Sequence, residues 1–148
     1  MGRFHRIASE VGSAVKTGVV SGVKITIKLA KVILPVYIVM AFLKHTALMS
    51  AASRALSPVM SVFGLPGEAA AAIVLGNAVS LYSALAAVKA LQMSPEQVTI
   101  AGLMIVISHN LPSEYVVLQK MGAPAAAVTA ARFIASLVAG AVAGAVLR

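Results

Sequence analysis

Three stretches of this chain run for roughly twenty residues with no more than two charged side chains in each, and ~20 apolar residues are what an α-helix needs to cross ~30 Å of hydrocarbon. They are Leu29 to Met49, Ala69 to Val88, and Ala125 to Leu147. Pro35 near the start of the first is tolerable in a membrane helix, and Lys44 near its end can reach back to the interface. The composition fits a lipid solvent. Apolar residues make up 60% of the chain and charged ones 11%, against ~25% charged in a soluble domain. A soluble enzyme core is therefore disfavoured, and so is disorder, which needs low hydrophobicity and high charge. Cysteine is absent, which removes disulfides, thiolate nucleophiles and cysteine-based metal sites.

The net charge is +8, and half of the Lys and Arg residues, Arg3, Arg6, Lys16, Lys24, Lys28 and Lys31, lie in the first 31 positions. Polar residues there recur every three or four positions: Arg3, Arg6, Glu10, Ser13, Thr17, Ser21, Lys24, Lys28, Lys31. Phe4, Ile7, Val11, Val15, Gly18, Gly22, Ile25 and Leu29 fill the opposite face. This period predicts an amphipathic helix over 1–31 that lies in the membrane interface, with Lys24, Lys28 and Lys31 on anionic lipid headgroups. The charges are spread too widely for a cleaved secretory signal. Tryptophan is absent and aromatics are 5%, so the positive charge reads as a lipid-surface feature and no nucleic-acid partner is expected.

Between the long stretches the chain breaks repeatedly. Ala51 to Phe63, with Arg54 and Pro58, is too short to span and reads as interfacial or re-entrant. Gly64-Leu65-Pro66-Gly67-Glu68 then opens a new helix, and Ser94-Pro95-Glu96-Gln97 has capping-box spacing with proline at the first helical position. The helix that follows is interrupted over Ser108-His109-Asn110-Leu111-Pro112-Ser113-Glu114, a second fragment runs to Met121, and Gly122-Ala123-Pro124 is a turn. Two breaks share a pattern, Leu65-Pro66-Gly67-Glu68 and Leu111-Pro112-Ser113-Glu114, each placing a glutamate at the positive end of a helix. That placement is ordinary helix initiation. Broken helices that meet near mid-membrane are also how transporters hold polar solutes and ions. On that reading Glu68, Asn77, Ser80, His109, Asn110 and Glu114 are the solute- or ion-binding candidates, with the glutamates as cation ligands or proton carriers. Arg132, inside a span, needs an anionic partner, and Glu114 or Glu68 can supply it; a reach to the interface is the alternative. His5, His45 and His109 are scattered, and no HExxH, P-loop or GxGxxG spacing occurs, so no metal set, cofactor or enzymatic activity is expected. Gly140 and Gly144 form a small-xxx-small pair that favours close helix packing.

From about Leu34 to Leu147 the chain resembles the nucleoside-recognition, or Gate, family, which includes spore maturation proteins A and B and the gate regions of B-type ferrous-iron transporters. Leu34-Pro35, Ala55-Leu56-Ser57-Pro58, the Gly64 to Glu68 run, Gly76-Asn77 and Leu111-Pro112 carry the resemblance. It implies a transport-like membrane module, commonly present in two copies per functional unit, with a small solute such as a nucleoside, or a cation, as cargo.

Together these readings predict an all-α integral membrane protein. An N-terminal interfacial helix over 1–31 precedes a Gate-like domain over 32–148 of about three full spans plus discontinuous or re-entrant helices. The expected activity is a half-transporter or channel-like module that works as a homodimer or with a related subunit; the alternatives are a non-transporting scaffold and a basic membrane-active protein. Counting Leu29 to Met49, Ala69 to Val88, the broken pair and Ala125 to Leu147 as crossings puts Arg3 through Lys31, Lys89 and Arg148 on one side. The positive-inside rule makes that side cytoplasmic, in the inner membrane. Lys44, Arg54, Lys120 and Arg132 then fall nearer the opposite face.

Overall fold

The computed structural model describes the backbone of residues 2–147 and the side chains of residues 10–147. The side chains of Arg3, Phe4, His5, Arg6 and Ile7, and all of Arg148, lie outside the described residues. Seven helices and no strand occur among them: α1 (Gly2–Leu43), α2 (Ala47–Val62), α3 (Ala69–Ala78), α4 (Leu81–Leu91), α5 (Pro95–Ser108), α6 (Leu111–Lys120) and α7 (Ala125–Val146). The protein is an all-α membrane protein. Three stretches are long and apolar enough to cross a bilayer: Glu10–Leu43, α5 with α6 over Pro95–Lys120, and α7. The chain divides into two compact units, residues 1–32 and residues 33–148.

The first unit is helix alone. From Glu10 to Val32 its side chains are exposed, apart from the half-buried Leu29. Lys24, Lys28 and Lys31 follow one another at helical spacing, and Ser13 and Thr26 donate their hydroxyls to the carbonyls of Glu10 and Gly22 within the helix. Nothing interrupts α1 at position 31. It continues past Pro35, which leaves the Lys31 carbonyl without its usual helical donor, and ends at Leu43. The span expected over Leu29 to Met49 is thereby cut short. Thr46, in an extended conformation, accepts from Met49 N–H at 3.3 Å and caps α2, so Met49 belongs to the next helix.

The second unit packs around small residues. A single span over Ala69 to Val88 is not what forms: Val79 and Ser80 reverse the chain, and α3 and α4 lie side by side as a hairpin. The sequence makes the turn locally. Ser80 adopts an extended backbone, and its hydroxyl accepts from Ser83 N–H at 3.1 Å and bonds the Ser83 hydroxyl at 2.9 Å, capping α4. Ala69, Ala72, Gly76, Ala84 and Ala87 are all buried. A Cβ on Gly76 would sit 2.8 Å from Ile105 Cγ2 and 3.1 Å from Ala84 Cβ, so only glycine permits this approach.

Helix α5 starts as the spacing predicts, with Ser94 and Gln97 forming a capping box and Pro95 in the first turn. It stops at Ser108, and α6 begins at Leu111, two residues before the expected Ser113. After the turn at Gly122, α7 runs back along both α6 and α5. Gly140 takes Met104 of α5 against its backbone, and Gly144 takes the carbonyl of Phe63. The small-xxx-small pair therefore packs within one chain. Lys44, at the end of α1, donates to the Ala90 carbonyl at 3.1 Å. Since Lys89 and Lys44 share that end of the unit, the opposite-face placement expected for them does not hold; the hairpin returns to the side it left.

Candidate functional site

Breaking a helix within the membrane frees carbonyls on one side and N–H groups on the other, and in hydrocarbon each unsatisfied group costs several kcal/mol. At the α5–α6 break the protein answers several of them with its own groups. Asn110 sits in the left-handed region, φ 61°, which ends α5 and redirects the chain. Its N–H donates to the carbonyl of Gly76 at 3.1 Å, tying the break to the far end of α3. His109 Nδ1 bonds the Val106 carbonyl at 2.8 Å. The Met104 carbonyl accepts from Ser108 Oγ at 2.8 Å and from Ser136 Oγ of α7 at 3.0 Å. Arg132 of α7 donates its Nε to the Ile107 carbonyl at 3.0 Å. Its Nη1 is ion-paired with Glu114 Oε2, in the first turn of α6.

One arginine thus holds both ends of the break. The side chains of Arg132 and Glu114 are 30% and 29% exposed, and Glu114 Oε2 is fully buried. His109, Asn110, Ser113, Glu114, Val117 and Arg132 line an open cleft of about 320 Å³. Along α5 and α6 the break lies roughly 22 Å from the Pro95 end and 15 Å from the Lys120 end, at 1.5 Å per residue. A larger groove of about 950 Å³ runs along α7 past Leu103, Ile134, Val138 and Val142, and its wall contains no polar side chain. That groove is suited to lipid tails, not to a polar solute.

Of the residues singled out in the sequence, the structure brings His109, Asn110 and Glu114 together. Asn77 follows Gly76 directly, and its Oδ1 is buried without a hydrogen-bond partner. Ser80 is committed to the α4 cap. Glu68 lies at the other end of α3, eight residues or ~12 Å of helix from Gly76, with no partner for its carboxylate among the described residues and no capping bond. The two Leu-Pro-x-Glu breaks therefore do not form the pair that meets; the break that reaches Asn110 is the turn at Val79 and Ser80. Arg132 pairs with Glu114, one of the two carboxylates offered for it in the sequence. Missing from the sequence-based candidates were Arg132 as a cleft residue, the Gly76 carbonyl, and Ser136. A serine one turn beyond a membrane arginine was the available signal for the last of these.

Residues 26–139 match the Gate family, described as nucleoside recognition. The chain belongs to the Gate family. Every residue that lines the cleft, on the α5–α6 break and on α7, falls inside the Gate region, as does the α3–α4 hairpin. An uncharacterized membrane protein of Bacillus subtilis (strain 168), YvoD, is 39% identical over 115 residues. The match covers 78% of this chain and 37% of that relative, so this chain spans little more than a third of its length. No solved structure gives a significant match.

Proposed function

We propose that this Gate protein is one half of a membrane transport unit for a small polar solute, with the α5–α6 break as the point where solute is held. The observation that carries the reading is the meeting of the α5–α6 break and α7 at one polar cleft, with the end of α3 bonded to the backbone of the break. Asn110 and Ser113 are exposed there. Polar side chains midway along a spanning helix do not face lipid; they face a bundle interior or an aqueous cavity. A second copy, or a related subunit, covers the cleft and completes that cavity. The length of the relative supports this, since 115 residues are 37% of it and room remains for a second unit of the same size. The bilayer and the partner copy are the partners proposed, with no nucleic acid, cofactor or catalytic step. The proposed location is the cytoplasmic membrane, with the basic first segment at the cytoplasmic surface.

Radiolabelled uridine uptake by the full chain in sealed proteoliposomes tests the reading. The expected result is saturable uptake that falls about tenfold in Asn110→Ala, the scale of one lost hydrogen bond to a bound solute, while Glu68→Gln transports normally. Uptake no faster than in empty vesicles, with well-folded protein, would instead favour a scaffold whose breaks are structural.

A further inference from the structure

The Arg132–Glu114 pair has a consequence for what the cleft can accept. Its lining contains one guanidinium and one carboxylate, joined to each other, with His109, Asn110, Ser113 and Val117 as the remaining side chains. Glu114 Oε2 is buried against the guanidinium. Arg132 Nε is already committed to the Ile107 carbonyl, which fixes the guanidinium where it is. Beside this paired guanidinium and carboxylate, whose charges offset each other, the lining offers a solute the Asn110 amide, the Ser113 hydroxyl and the outer edge of the His109 ring. With its Nδ1 donating to a carbonyl, that ring leaves Nε2 for a solute.

We infer that the Arg132–Glu114 pair is a charge filter: by cancelling its two charges inside the cleft, it makes the site one for electrically neutral, hydrogen-bonding solutes and turns away both cations and anions. This rests on the reading of the cleft as a solute site. It also replaces the role of cation ligand or proton carrier that the sequence offered for Glu114. A cation arriving at Glu114 would meet the guanidinium at contact distance, and an anion arriving at Arg132 would meet the carboxylate. Like charges placed together disfavour the wrong partner, in this half-exposed cleft by about tenfold or more. Arg132 is then the specificity-determining residue, and Glu114 its counterweight.

Removing either member should therefore create an ion site of the opposite sign. In the purified full chain, Arg132→Gln is expected to bind one Mn²⁺, read by electron paramagnetic resonance, at least about tenfold more tightly than the parent. Adding Glu114→Gln should abolish that binding. Conversely, Glu114→Gln alone should bind chloride, read by broadening of the ³⁵Cl resonance, and the double variant should not. Mn²⁺ binding by the parent that Glu114→Gln removes would overturn the inference, as would Glu114→Gln without chloride binding. Should Arg132→Gln fail to fold, the chloride measurement decides by itself. Both arms read binding, so they are separate from transport. Absent uridine uptake with both ion sites created as expected overturns the transport reading alone, and normal uptake with parental Mn²⁺ binding at Glu114 overturns the filter alone.

Discussion

Arg132 makes two contacts on opposite sides of a helix break, and no other residue type makes both. A lysine retains the charge but has no planar fork with which to hold a carbonyl and a carboxylate at once. Truncating Arg132 to alanine leaves the Ile107 carbonyl and the Glu114 carboxylate uncompensated. Because both side chains are partly exposed, the loss should fall between that of a surface pair and that of a buried one, about 2 kcal/mol. Thermal unfolding in detergent measures it, and a change below ~0.5 kcal/mol would mean that the pair does not hold the break. Glu68 is the contrasting case. With no ion-pair or capping partner among the described residues, Glu68→Gln should stay within ~0.5 kcal/mol of the parent. A much larger loss in the same assay would reveal a partner for Glu68. Two glutamates in the same Leu-Pro-x-Glu setting thus carry different loads, and only the location of Arg132 tells them apart.

Among the elements, the α3–α4 hairpin is the most exacting. Gly76 has no room for a side chain between Ile105 and Ala84, so Gly76→Ala should lower stability by about 1 to 3 kcal/mol through overpacking. Ser80→Ala should cost ~1 kcal/mol by removing the cap that starts α4. Both are readable in the same unfolding assay, and a Gly76→Ala protein as stable as the parent would contradict the close approach. Much of this architecture was legible in the sequence. The helical class, the α5 capping box, the interruption after Ser108, the turn at Gly122 and the return span of α7 all follow from local signals such as proline position, serine caps and hydrophobic length. The hairpin was not legible. Ala69 to Val88 has the composition and length of a crossing helix, and two serines are a weak local reason to turn. What makes the turn favourable is tertiary: α5 offers Ile105 beside Gly76, and Asn110 offers an N–H to the Gly76 carbonyl. The candidate site was half legible for the same reason. His109, Asn110 and Glu114 are neighbours in sequence, whereas Gly76 and Arg132 reach them only through packing.

For the molecule as a whole, the hairpin changes the count of helices long and apolar enough to cross a membrane, since neither α3 nor α4 is one of them. Thr46 and Gln92 flank Lys44 and Ala90, which are hydrogen-bonded to each other, and α5 with α6 then carries the chain to Gly122 at the opposite end. Single cysteines at Thr46 and Gln92 should react with an impermeant reagent from the same side of the membrane, and one at Gly122 from the other. Opposite labelling of positions 46 and 92 would restore a crossing helix over Ala69 to Val88. The hairpin also bears on how such a chain is assembled during synthesis. Its two helices have ten and eleven residues, each half of what the insertion machinery can release into lipid as a span. The groups that receive them, Ile105 and Asn110, are made later. The hairpin is therefore expected to settle only once α5 and α6 arrive, and a released chain that ends at Met93 should leave a cysteine at Ser80, half-buried in the finished protein, more reactive than it is there. Order of synthesis and order of insertion would then, in this stretch, be reversed.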